Sequence, residues 1–290
     1  MKYGIYYAYW ETEWVADYKY YIEKVARLGF DILEIAATPI LGYSEKEMAG
    51  LRACAVDHGI TLTAGHGPTA EQNLASPDPR VAAAAKAFFT ELLKRLHKLD
   101  IHLIGGALYS YWPVDYSQAI DKPGDWARSV AAVREIAKVA EDCGVDYCLE
   151  VLNRFENYMI NTAEEGVAFV EEVGNPRVKV MLDTFHMNIE EDSIGGAIRT
   201  AGSRLGHLHT GECNRRVPGK GRVPWAEIGS ALHDIGYDGS VVMEPFVRMG
   251  GTVGSNIKVW RDISRGADEA RLDEDAREAL AFSRYLLESR

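Results

Sequence analysis

One arrangement recurs along this chain and limits what it can fold into. A helical stretch stops at a glycine, an apolar residue and an aspartate follow, and a short apolar run begins. It reads Leu28-Gly29-Phe30-Asp31 before Ile32-Leu33-Glu34, and Cys143-Gly144-Val145-Asp146 before Tyr147-Cys148-Leu149-Glu150. A third copy is Ile235-Gly236-Tyr237-Asp238 before Val241-Val242-Met243-Glu244. Glycine suits the left-handed position that ends a helix. Each copy closes on a glutamate, which places a carboxylate at the C-terminal end of three strands. The intervening apolar runs complete a set of strands near 3–9, 31–37, 60–65, 102–108, 146–152, 178–183, 205–210 and 240–245. The beat is roughly 35 residues, the size of one βα unit.

Helices fill the gaps. Ser44-x-x-Glu47 and Thr162-x-x-Glu165 have the spacing of capping boxes. Pro79 to Leu99 is a long amphipathic run, and Asp273 to Leu287 is a closing acidic helix. Eight alternating strand–helix units predict an α/β chain closed as a (β/α)8 TIM barrel. A length of 290 residues is ordinary for one such barrel, so a single domain over 1–290 is expected. A doubly wound open sheet is the weaker alternative, because no GxGxxG turn opens the chain and no Walker loop exists.

Charge removes other classes. The formal net charge is −11, which repels nucleic-acid phosphates. Arg215, Arg216, Lys220 and Arg222 make the one local basic segment. The N-terminal Met-Lys-Tyr-Gly-Ile-Tyr-Tyr has no apolar core of signal-peptide length. No apolar run approaches the ~18 residues of a membrane span. Cys54, Cys143, Cys148 and Cys213 form no CxxC pair, which fits reduced thiols and a cytoplasmic location.

A barrel of this kind carries its site at the C-terminal ends of the strands. Glu150, Asp183, His209 and Glu244 end the last four in succession. Alternation puts residues i and i+2 on one side. Cys148 and Glu150 then share a face, as do Met181 and Asp183, His207 and His209, and Val242 and Glu244. Leu149, Leu182, Leu208 and Met243 turn to the helix layer. Taken singly, each ionisable residue has a plain reading as a salt-bridge partner or a strand cap. As a set they point to a divalent cation, because converging carboxylates repel without one. Three carboxylates and one imidazole suit Mn²⁺, Co²⁺ or Mg²⁺ better than a structural zinc. His207 reads as a lower-layer histidine rather than a ligand, and Glu34 as peripheral to the chemistry.

Six stretches then carry a resemblance: GIYYAYW (4–10), IGGALYSYWP (104–113), CLEVLNRFEN (148–157), VMLDTFHMNIEEDS (180–193), GHLHTGECNRRVPGKGRVPW (206–225) and VVMEPFVRMGG (241–251). The chain resembles the ketose 3-epimerases, the D-tagatose 3-epimerase and D-psicose (D-allulose) 3-epimerase group of xylose-isomerase-like barrels, and is closest to the D-psicose branch. The resemblance implies that Glu150, Asp183, His209 and Glu244 hold one cation. It implies that Glu150 and Glu244 are also the acid–base pair. Glu156, His186 and Arg215 match residues that hold the first hydroxyls and the carbonyl of a ketohexose. Tyr6, Trp14, His66 and Trp112 fall where the substrate pocket is lined. A homodimer or homotetramer is also implied, with the segment Val253 to Trp260 as its sequence hint. Three competing functions remain. An aldose–ketose isomerase could use the same ligands. A metal-cluster endonuclease would need more histidines and a basic face. A sugar-binding protein would need no acid–base pair.

Overall fold

The computed structural model describes residues 1–288; residues 289 and 290 of the expected 1–290 domain lie outside the described residues. Eight strands form the frame: β1 Lys2–Tyr6, β2 Ile32–Ala36, β3 Thr61–Gly65, β4 Leu103–Gly106, β5 Asp146–Glu150, β6 Val178–Asp183, β7 Leu205–Thr210 and β8 Ser240–Met243. They lie side by side in chain order and close on themselves, with Ile5 of β1 opposite Met243 of β8. Neighbours run parallel, as right-handed βα crossovers demand. The helices are α1 Tyr18–Leu28, α2 Glu45–Asp57, α3 Pro79–Lys98, α4 Lys122–Cys143, α5 Ala163–Val173, α6 Thr184–Glu190, α7 Ile194–Ala201, α8 Trp225–Asp234, α9 Gly251–Ile257 and α10 Glu269–Glu288. No helix among the described residues is long and apolar enough to cross a membrane.

The recurring glycines behave as the sequence predicts. Gly29 and Gly144 cap α1 and α4 with φ of 90° and 66°. The aspartates that follow tie the N-terminal face of the barrel together. Asp31 accepts the Tyr3 backbone N–H at 2.9 Å. Asp146 pairs with Arg177 and Lys179 at 3.0 and 2.7 Å. Asp238 pairs with the chain's N-terminal amine at 2.7 Å. The Ser44–Glu47 capping box is complete. The Thr162 box is half-formed: Thr162 accepts Glu165 N–H, but the Glu165 carboxylate turns to the Asn161 N–H and to Lys122.

Several strands stop earlier than their apolar runs suggest. After Tyr6 the chain tightens into a 3₁₀ turn over Tyr7–Tyr9. β4 ends at Gly106, where φ is 132° and any Cβ would come within 2.1 Å of the His66 carbonyl oxygen. β5 and β8 end at Glu150 and Met243, so Glu244 lies one residue past its strand. The closing helix starts four residues earlier than expected, at Glu269.

The side-chain alternation is visible in the packing. Leu149, Leu182, Leu208 and Met243 belong to the large core under the helices. Cys148 and Met181 join Leu103 in a small, separate cluster inside the barrel. Gly105 has no room for a side chain here, since a Cβ would approach Met181 Sδ to 2.4 Å. Between β6 and β7 the register shifts at Val180/Met181. Such irregularities re-aim side chains near sites. Beyond this one, Asp183 lies opposite His209.

Candidate active site

The strand ends surround a cavity of about 510 Å³ lined by Tyr6, Trp14, His66, Trp112, Glu150, Glu156, His186, His209, Arg215 and Glu244. Asp183 sits beneath it, 1% exposed. It caps α6: its Oδ1 accepts the Phe185 N–H at 2.9 Å, which fixes the carboxylate. Its Oδ2 then has no hydrogen-bond partner, although His186 Nε2 and an Arg215 nitrogen stand 3.7 and 3.6 Å away. His209 Nδ1 is likewise buried without a hydrogen bond, 3.5 Å from Glu244 Oε1.

Buried polar atoms without partners are rare and need a reason. Two sets of potential metal donors supply one: Glu150–Asp183–His186 and Asp183–His209–Glu244. They share Asp183. Within each, the donor atoms lie within 4.8 Å of one another, close to the span of one ion with bonds of about 2.0–2.2 Å. The residues present therefore fit a divalent cation. A third set, Glu34–His207–His209, has another explanation. Its separations of 2.6 and 2.8 Å are ordinary charge-assisted hydrogen bonds.

Burial, and then the charge of Glu244, push the Glu150 carboxyl well above its usual range, while His209 partly offsets them. Burial also opposes charge on His209, but Glu34 and Glu244 outweigh it and raise that imidazole well above normal. Metal binding would release this proton from Nδ1. Glu156 lies the other way: burial would raise it, but His186 and Arg215, with hydrogen bonds from Trp112 and Asn153, hold it low.

The loop after β7 carries Arg215 into the cavity. Glu212 organises that loop, accepting from Gly219 N–H, Val223 N–H and Trp225 Nε1–H at 2.8, 3.0 and 2.8 Å. Arg215 takes φ 63° at the turn. Its guanidinium lies 3.6 Å from the centre of the Phe185 ring. From there it reaches Glu244 at 3.3 Å and Glu156 at 3.5 Å.

Asn153 is a neighbour that sequence reasoning did not single out. Its Oδ1 accepts the Phe155 N–H, which leaves Nδ2 to donate to Glu156 and to His186 Nδ1. His186 therefore accepts at Nδ1 and presents Nε2–H to Glu150 and Asp183, each 3.7 Å away, so in this arrangement it is a donor to those carboxylates rather than a cation ligand. Trp112 donates to Glu156 at 2.9 Å, and Trp14 to Asn256 at 3.3 Å. Tyr6 packs against Trp14 and Phe246. His66 lines the wall with both nitrogens already engaged, by Thr38 and Gln72. Burial holds its pKa down to about 4, so at neutral pH it offers the pocket an uncharged ring.

Glu34 corrects the sequence reading. β2 continues two residues beyond it to Ala36, so it stands mid-strand rather than at a strand end. It is not peripheral: it is fully buried and bonded to both His207 and His209. A lone charge inside the apolar run Ile32-Leu33-Glu34-Ile35-Ala36 was the available signal.

Known proteins now bear on this geometry. A family model described as a xylose isomerase-like TIM barrel matches residues 22–284. Over 288 residues the chain is 77% identical to a D-psicose 3-epimerase of Ruminiclostridium cellulolyticum, covering 99% of this chain and 98% of that one. The chain belongs to the ketose 3-epimerase family. A D-psicose 3-epimerase of Agrobacterium fabrum is 66% identical over 287 residues, 99% of each chain. The crystal structure of D-psicose 3-epimerase with D-tagatose from Clostridium cellulolyticum H10 matches with a TM-score of 0.98 and 77% identity, covering 99% of both chains. As a member of this family the protein is an enzyme, a ketose epimerase.

Proposed function

We propose that the protein interconverts ketohexoses at C3, with D-psicose and D-fructose as the working pair. The observation that carries this is the placing of two carboxylates, Glu150 at the end of β5 and Glu244 just after β8, on the wall of one cavity. A ketose has its carbonyl at C2, so its C3 proton is acidified. Epimerisation removes that proton from one face and returns one to the other. A single base would return it to the face it left. Glu150 and Glu244 come from strands separated by β6 and β7, which suits a two-sided arrangement, each acting as base in one direction and acid in the other.

Loss of the C3 proton gives an enediolate with negative charge on O2. Glu150, Asp183, His209 and Glu244 would hold one divalent cation, Mn²⁺ or Co²⁺ with Mg²⁺ also suited to the oxygen-rich set. When bound, that cation supplies positive charge where the oxyanion develops. Glu156, His186 and Arg215 hold O1 to O3 and so choose which carbon lies between the carboxylates. A shift of that hold by one carbon would give aldose–ketose isomerisation. Tyr6, Trp14, His66 and Trp112 wall the rest of the sugar with mainly apolar surface. The names of the two closely similar relatives support the D-psicose assignment. Mn²⁺-loaded protein incubated with D-psicose is expected to yield D-fructose on chromatography. Formation of an aldose instead would favour the isomerase reading.

We also infer a cytoplasmic enzyme that works as a homodimer or a homotetramer. The exposed side chains of Met249 and Trp260, 55% and 71% accessible at either end of α9, support an interface there. Light scattering is expected to give at least twice the 32.2 kDa chain mass. A monomer mass at working concentration would reject the assembly.

A further inference from the structure

Glu34 sits in the barrel interior, away from the cavity wall, with no solvent access. An isolated buried carboxylate is strongly disfavoured, so its donors define what it is for. Oε1 accepts His209 Nε2–H at 2.6 Å. Oε2 accepts His207 Nε2–H and the Thr63 hydroxyl, both at 2.8 Å. The bond to His209 leaves Nδ1 as the only ring nitrogen turned to Asp183 and Glu244, and Nδ1 has no hydrogen bond in the protein.

We propose that Glu34 is a positioning residue of the metal centre: through its bond to Nε2 it fixes the tautomer and ring orientation of His209, so that Nδ1 presents its lone pair to the cation. The inference rests on the cation-binding reading above. A carboxylate behind a ligating imidazole orients it and raises its basicity. Two donors already converge on Oε2, whereas one reaches Oε1. In Glu34→Gln the amide oxygen is therefore best placed where His207 and Thr63 donate. The NH₂ then faces His209 Nε2. That ring must move its proton to Nδ1 or turn away, and either change removes the ligand lone pair.

The test is titration of metal-stripped protein with MnCl₂ by calorimetry, with thermal melting of each variant. Wild type binds, and Glu34→Gln binds about 10–100-fold more weakly while remaining folded. His207→Gln, which leaves the Glu34–His209 bond in place, loses stability but keeps Mn²⁺ affinity near wild type. A merely structural role would move the two variants together in melting and leave both affinities unchanged. If wild type fails to bind Mn²⁺, the cation reading falls and this inference with it. If wild type and Glu34→Gln bind equally, only the role of Glu34 falls. Should Glu34→Gln not fold, ¹⁵N-histidine NMR of the Mg²⁺-loaded wild type still decides. The His209 proton is expected on Nε2, and finding it on Nδ1 overturns the proposal.

Discussion

Glu150→Gln and Glu244→Gln each lower epimerase turnover by roughly 10²–10⁴, the range that general acid–base groups contribute. Glutamine keeps the size of the side chain but cannot take up the C3 proton. It is also a poorer cation ligand, so bound Mn²⁺ must be measured in each variant alongside turnover. A loss that persists at full occupancy belongs to proton transfer. Near-normal epimerisation by a fully loaded variant would show that the residue is not one of the bases. Glu135→Gln is a suitable control, because Glu135 pairs with Lys86 on an exposed face of α4 and touches nothing in the cavity. Glu34→Gln is no control, since Glu34 holds His209.

Why Glu150 and Glu244 were readable and Glu34 was not follows from the kind of order each depends on. Glu150, Asp183, His209 and Glu244 all lie within one residue of a strand end, and alternation alone sets which way they face. Both are local properties of sequence. Glu34 shares the Gly-apolar-Asp prelude, but its strand runs on because β2 continues to pair with β3 through Ala36 and Gly65. Its partners, His207 and His209, are more than 170 residues away in the chain. No local pattern reports such a contact. His66 and Asn153 show the same limit. Their placement near the cavity follows from the βα loops, but the saturation of His66 by Thr38 and Gln72, and the Asn153 bond that orients His186, arise only once loops meet. Strand ends were overrun where apolar residues continue into turns, as at Tyr7–Tyr9 and after Gly106.

Removing the cation is expected to abolish turnover completely, and Mn²⁺ or Co²⁺ to restore it. Four carboxylates, Glu150, Glu156, Asp183 and Glu244, crowd one region, and Arg215 is the guanidinium that reaches three of them. In the metal-free protein, burial and Glu244 push the Glu150 carboxyl up, which disfavours its ionised form. Chelation would therefore remove the charge that stabilises the oxyanion and disfavour ionisation of one of the two proposed bases. The same linkage acts on stability. A cation at a hundred times its dissociation constant adds about 2.7 kcal/mol to the folded state, so melting temperature rises with added Mn²⁺. Full activity in a preparation shown by elemental analysis to be metal-free would contradict both effects.

The central claim is that the two glutamates exchange a proton at C3, and solvent exchange tests it most directly. D-Psicose is turned over by Mn²⁺-loaded protein in D₂O, and the sugars are examined by NMR. The account predicts deuterium at C3 of the D-fructose formed. It also predicts that a metal-loaded variant of one glutamate still exchanges C3 through the other, while net epimerisation falls sharply. Deuterium appearing only at C1 would contradict it, because the chemistry would then lie at the C1–C2 bond.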